Sequence, residues 1–131
     1  MKKWISGIIL IALLILTGID CFAQSTDARI RALQGEWRLT HMQMEEEVID
    51  LTVPPFNEVM EQIWKFEGNN LFVLTIDLQT GESEAETSTF TIIGNTLLLS
   101  DQRRTDTAPY TLQGNTLIIT STDYIFTLRK L

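Results

Sequence analysis

The stretch Trp64-Lys65-Phe66-Glu67-Gly68-Asn69-Asn70-Leu71 returns as Phe90-Thr91-Ile92-Ile93-Gly94-Asn95-Thr96-Leu97, and again as Tyr110-Thr111-Leu112-Gln113-Gly114-Asn115-Thr116-Leu117. The shared formula is aromatic, any residue, apolar, any residue, Gly, Asn, Asn or Thr, Leu. Gly and Asn tolerate positive φ, so each pair marks a tight hairpin turn between two alternating runs. The aromatic and the apolar residue stand two apart and therefore share one strand face. Three hairpins give six strands. Gly35 to His41 alternates as a further strand, and Tyr124-Ile125-Phe126-Thr127-Leu128 as a last one. Eight antiparallel strands joined by consecutive hairpins close by pairing the last with the first, which removes exposed edges. A two-sheet sandwich is the alternative, but no long crossing connection follows Trp64. The turns are antiparallel, so the repeat does not stack as a solenoid. The sequence therefore predicts an all-β fold, an eight-stranded antiparallel up-and-down barrel.

Two additions lie upstream. Residues 27–33 read as a short N-terminal helix, with Asp27 as its cap and Gly35 as its stop. The segment from Glu45 to Gln62 is the longest connection, and connections of such length are usually functional or disordered. After Pro54-Pro55, the residues Phe56, Val59, Met60 and Ile63 recur at i, i+3, i+4 and i+7, which predicts a short helix in this first long loop. That helix is expected either as a lid over a barrel mouth or as a static plug. One register stays open. A two-residue turn places Leu71 and Val73 beside Trp64 and Phe66, whereas the longer alternation Phe72, Leu74, Ile76, Leu78 needs a one-residue shift or a bulge near Gly68.

Composition narrows the class of protein. The net charge of −7 and the isoelectric point near 4.6 argue against nucleic acid or an anionic membrane as partner, since both demand a basic face. One cysteine forms no intramolecular disulfide and no cysteine-based metal site. Met1-Lys2-Lys3 followed by the uncharged run Trp4 to Ile19 describes a signal peptide, with Cys21 and Ala23 at the −3 and −1 positions of a cut before Gln24. The run is shorter than the roughly 20 apolar residues of a spanning helix, so no stable span is expected after cleavage. Gly18-Ile19-Asp20-Cys21 departs from a lipidation motif, which makes anchoring through Cys21 the lesser alternative. The predicted organisation is a signal peptide over residues 1–23 and one barrel domain over residues 24–131, exported to the periplasm or beyond.

The hairpin repeats, the Gly35-Glu36-Trp37 of the first strand and the closing Leu128-Arg129-Lys130-Leu131 resemble the lipocalins and their small secreted bacterial relatives. The resemblance implies a calycin-type barrel in which Trp37 lies across the closed end and Arg129 packs on it. Arg129 is out of phase with Phe126 and Leu128, so this packing requires the last strand to bulge. The resemblance further implies a loop over the ligand entrance after the first strand, and a small apolar ligand in the cavity.

Catalytic chemistry finds little support. His41 is the only imidazole, so any Ser-His-Asp arrangement has to use it. No metal-ligand spacing surrounds it, and no cofactor motif occurs. Glu82, Glu84 and Glu86 share a strand face but read as the solvated end of a hairpin rather than a glycosidase pair. The chain thus reads as a non-enzyme. Two functions remain. One is a carrier of a small hydrophobic molecule, with Trp64, Phe66, Phe90, Tyr110 and Phe126 lining the cavity and His41, in phase with Trp37 and Leu39, orienting the ligand. The other is a cell-envelope interaction module whose interior those aromatics simply fill. An empty apolar cavity favours the first, and a packed interior with an exposed apolar patch favours the second.

The leader reading predicts that the exported protein begins at Gln24. N-terminal sequencing or intact mass checks this; a retained Met1 or a lipid on Cys21 contradicts it.

Overall fold

The structure, a computed structural model, describes residues 27–131; the predicted leader, Cys21 and the cut before Gln24 lie outside the described residues. The chain divides into two units, residues 1–32 and 33–131. Residues 27–33 are helical, as expected, and form α1, with Asp27 already inside the helix rather than ahead of it as a cap. The second unit is a sheet of nine antiparallel strands: β1 (Gly35–Met44), β2 (Glu47–Asp50), β3 (Met60–Glu67), β4 (Asn70–Asp77), β5 (Ser83–Ile93), β6 (Thr96–Ser100), β7 (Thr105–Gln113), β8 (Thr116–Thr120) and β9 (Ile125–Lys130). Strands β3 to β9 pair in sequence order, and β1 pairs with both β3 and β9, which closes the barrel. Eight strands make the wall, as the repeat predicts. The ninth, β2, is an addition folded back on the upper half of β1.

That addition replaces the expected lid helix. Glu45 and Glu46 form the turn between β1 and β2, and only Phe56–Glu58 is helical, as a single 3-10 turn with no buried residue. Met60 and Ile63 belong to β3 instead. An isolated helix of two turns is marginal in water. Burial decides the outcome, because Trp64 and Phe66 lie at period two on β3 and both are buried. Extending that strand back to Met60 consumes half of the helical stripe.

The register of the first hairpin follows the turn. Phe66 pairs with Leu71, and Trp64 with Val73, around the two-residue turn Gly68-Asn69, without a bulge. The same loop joins β5 to β6 at Gly94-Asn95 and β7 to β8 at Gly114-Asn115. In each pair only the Gly has positive φ, at 61°, 64° and 61°, the pattern of a turn with Gly at its first central position. The Asn carbonyls then act across hairpins: Asn69 accepts from the N–H of Phe90, Asn95 from Tyr110 and Asn115 from Lys130, at 2.8, 2.9 and 2.9 Å. Each turn of the repeat is stitched to the opening residue of the next hairpin or to the last strand. Directly opposed residues share a face, so Leu71 and Val73 point inward with Phe66 and Trp64. Phe72, Leu74 and Ile76 are left on the outer face.

All three Gly-Asn turns lie at one end of the barrel, and this end is filled. Leu33, Trp37, Phe66, Leu97, Leu117 and Leu128 are all at most 1% exposed. Trp37 organises the closure. Its indole N–H donates to the Leu33 carbonyl at 2.9 Å, and the Lys130 ammonium stands 5.0 Å from its ring centroid while donating to the Gln34 carbonyl at 2.7 Å. The expected partner, Arg129, is displaced by one residue. Trp37 pairs with Lys130 and Leu39 with Leu128 in unbroken alternation, so Lys130 faces inward and Arg129 stands opposite Arg38 on the outer face. Gly35 makes room, with a φ of 115° and a hypothetical Cβ only 3.2 Å from Lys130 Cε.

Trp37→Ala is expected to cost about 3–5 kcal/mol, the range for truncating a buried aromatic. Lys130→Met removes mainly a cation–π contact of about 0.5–2 kcal/mol. Gly35→Ala adds backbone strain of about 1–3 kcal/mol at a position that L residues avoid. Chemical denaturation of the three variants checks this ranking.

Candidate functional site

Inward-facing residues can be traced from the closed end to the open one. On β5, Ser88 pairs with Leu71, Glu86 with Val73 and Glu84 with Thr75, so both glutamates lie on the inner face of the wall. Yet both are exposed, which marks where the barrel stops being packed. The interior is therefore filled at the Gly-Asn end and open at the other, where the β1–β2, β4–β5, β6–β7 and β8–β9 connections form the rim.

The aromatics named from the sequence divide between these halves. Phe66 and Phe90 meet edge to face, ring centroids 5.2 Å apart and planes at 85°, and are buried as core. Tyr110 stands at the level of Phe90, four residues before Gly114 of its own turn and bonded through its N–H to the Asn95 carbonyl, whereas Trp64 and Phe126 form a second ring pair. Trp64 contacts Phe126 across the interior at 5.7 Å, and Phe126 stacks on Tyr124 at 5.7 Å. Phe126 and Tyr110 are only half-buried. A polar string runs on the mouth side of Trp64: its indole N–H donates to Gln62 Oε1 at 2.7 Å, and Gln62 Nε2 donates to Thr75 Oγ1 at 2.9 Å. Gln62 and Thr75 are the inner-face residues that the sequence reading missed; their period-two spacing from Trp64 and Val73 was the available signal.

Two solvent-open clefts lie at the rim. One, of about 360 Å³, is lined by Val59, Met60, Thr75, Asp77, Glu82 and Glu84 among others. The other, of about 1020 Å³, lies between the Glu45-Glu46 turn and the Thr122-Asp123 turn, with Met44 and Tyr124 along it. Both carry several carboxylates. The potential at the rim is accordingly negative, and it disfavours anions approaching the barrel mouth.

His41 is not among these groups. Between Leu39 and His41 the pairing with β9 shifts by one residue, so Thr40 forms a bulge, Met42 faces Phe126, and His41 faces Thr127. A bulge reverses the alternation beyond it. Methionines 42 and 44 thereby take the inner face, and His41 moves outward against Asp50 of β2. The expected inward placement is thus corrected by a bulge that the sequence does not mark. Thr40 Oγ1 donates to the Thr127 carbonyl at 3.1 Å and so accepts from His41 Nδ1 at 2.9 Å. His41 Nε2 then stands 3.5 Å from Asp50 Oδ2. Thr40-His41-Asp50 mimics a hydrolase triad in composition, but Thr40 is only 7% exposed and its hydroxyl proton is committed to a carbonyl. The arrangement fastens β2 to β1. Among the described residues, no three His, Cys, Asp or Glu side chains converge on a metal-sized site.

A barrel plugged at one end by a Gly-x-Trp node and open at the other defines the class of fold. The lipocalin-like domain family matches residues 33–119, and the chain belongs to it. A lipocalin-like protein from Bacteroides uniformis superposes with a TM-score of 0.58 at 14% identity, over 76% of this chain and 98% of the other. An uncharacterized protein from Bacteroides eggerthii does so with a TM-score of 0.58 at 10% identity, over 76% and 99% of the two chains. No curated protein matches the chain.

Asp50 is held below the ordinary carboxylate range, first by the Thr52 hydroxyl at 2.6 Å, then by the Thr52 N–H at 2.9 Å, with the charge of His41 adding to both. A lowered native value means that this contribution to stability is complete above the unfolded carboxylate range and is lost as pH falls through the native one. Thr52→Val is expected to raise the Asp50 midpoint in an NMR titration and to expose the β2 amides to exchange at a higher pH than in the parent protein.

Proposed function

We propose that this chain is an exported carrier that takes a small apolar molecule, neutral or cationic, into the open half of its barrel. The observation that carries the reading is the half-buried Phe126 on the inner face, in contact with Trp64 and on the mouth side of the packed base. Binding pockets are mostly apolar concavities of about 300–1,000 Å³ with a few fixed polar groups. Here the Gln62–Thr75 string supplies such groups within hydrogen-bond reach of one another. The acidic rim argues for the sign of the ligand, because a fatty-acid carboxylate brought beside Asp77, Glu82 and Glu84 meets like charge. Export rests on the leader over residues 1–23, and the compartment is the periplasm or the exterior. His41 has no part in this site.

The interaction-module reading draws its support from a different place. Phe66 and Phe90 are core rather than lining, and the outer face of β4 carries exposed apolar side chains.

Titration with a neutral long-chain alcohol and with a long-chain amine is expected to change tryptophan emission saturably, and the matching fatty acid to bind at least tenfold more weakly. Trp64→Phe is expected to remove most of that change while leaving the Trp37 signal. If none of the three compounds shifts emission or melting temperature at millimolar concentration, the carrier reading gives way to the interaction module.

A further inference from the structure

The longest apolar alternation of the chain, Phe72, Leu74, Ile76 and Leu78, lies on the outside of the barrel wall. Leu74 is 37% and Leu78 43% exposed. The pairing register surrounds this row with known neighbours. On the β3 side, Phe72 stands beside Lys65, Leu74 beside Ile63 and Ile76 beside Glu61. On the β5 side, the neighbours are Thr87, Ala85 and Ser83. Isolated apolar residues on a surface need no explanation, but a continuous row along one strand does.

We propose that this face is a self-docking surface, on which β4 of a second copy packs antiparallel to β4 of the first about a two-fold axis at Leu74. Isologous contact demands that a surface be complementary to itself, and the register meets that demand at one position. With the axis at Leu74, Phe72 lies on Ile76 of the second copy, Leu74 on Leu74, Ile63 on Ile63 and Ala85 on Ala85. Lys65 then faces Glu61 of the second copy, twice over. Moving the axis to Thr75 sets Ile63 against the Glu61 carboxylate and strands Lys65 beyond the end of the row. Charge therefore selects the Leu74-centred arrangement. The ionic partners are available. Among the described residues Lys65 pairs with Glu67 alone, at 4.0 Å, and Glu61, paired with Arg38 at 2.8 Å, keeps part of its surface open to a second cation. Arg38 lies one strand further round the convex wall, opposite Ile63, so the two Arg38 guanidiniums diverge. A row this narrow buries less than a standard interface, which sets the dimer among weak, fast-exchanging ones, with a dissociation constant on the order of 100 μM.

Sedimentation velocity of the purified protein from about 10 μM to 1 mM tests this, a range that brackets the affinity expected for a small interface. The weight-average sedimentation coefficient is expected to rise with concentration toward a dimer. Leu74→Glu is expected to remain monomeric throughout, and Lys65→Glu to weaken association about tenfold, as loss of two symmetric ion pairs and gain of two repulsions requires. Adding Glu61→Lys to Lys65→Glu is expected to restore the parent dissociation constant to within about threefold, a rescue that unspecific apolar association does not show. Melting temperatures near the parent value confirm that each variant keeps its barrel, and the charge exchange decides the matter should Leu74→Glu fail to fold. A protein that stays monomeric to 1 mM, an unaffected Leu74→Glu, or an exchange that restores nothing overturns the proposal.

Discussion

Everything in this barrel hangs on one buried indole. Trp37 is held at its indole N–H by the Leu33 carbonyl and over its ring by the Lys130 ammonium, so it ties the end of α1 to the end of β9 through a single side chain. Sheet closure alone fixes neither where the barrel ends nor which face is inside. A large rigid aromatic lying across the base does both. Its bulk excludes water from the Gly-Asn end, and its two polar partners fix the angle at which the first and last strands meet. Gln34 extends the clamp, exchanging both of its amide groups with the backbone of Gly68 at 2.7 and 3.0 Å. The base is thereby a network of satisfied polar groups around an apolar plug, and the open half is what remains when the plug stops short of the rim.

Much of this was legible in the residues. Gly-Asn between alternating runs leaves the chain few choices, and the three hairpins form where that chemistry places them. The strands from Trp64 onward follow, as does closure on the strand carrying Trp37. The failures differ in cause. The first concerns a segment where two local rules conflict and only tertiary packing arbitrates. The stripe Phe56, Val59, Met60, Ile63 satisfies a helical period, while Met60, Gln62, Trp64, Phe66 satisfies a strand period, and burial of the two aromatics favours the strand. The bulge at Thr40 carries no Gly or Pro to announce it, so His41 was assigned to the wrong face. Lys130 was concealed by expectation rather than by physics, since plain alternation from Leu128 already pointed to it.

The candidate site was less legible than the fold. Five aromatics at core-compatible spacing cannot be divided by sequence into those that fill and those that line. That division depends on how far up the barrel the packing reaches, which is a property of all eight strands together. By burial the structure separates Trp64, Phe66 and Phe90, which are core, from Tyr110 and Phe126, which are half-buried. It also turns the inner face acidic at β5, where Glu84 and Glu86 had looked like ordinary surface. In the carrier proposed above, an apolar interior behind a negative rim discriminates by charge at entry and by shape only afterwards.

The stitching of each Gly-Asn turn to the following hairpin carries a kinetic consequence. Contacts that join the ends of the fold span 87 residues between Thr40 and Thr127 and 96 between Gln34 and Lys130. Pairings so distant in sequence are slow to form, because loop-closure entropy must be met before any of them is made. The Asn115 carbonyl finds its donor only at Lys130 of β9, so a chain whose β9 has not yet docked holds hairpins but no barrel. Assembly of the base is deferred until β9 docks, and until then β1 keeps an unpaired edge. Such a barrel acquires its resistance to unfolding in one late step, when its first and last strands meet.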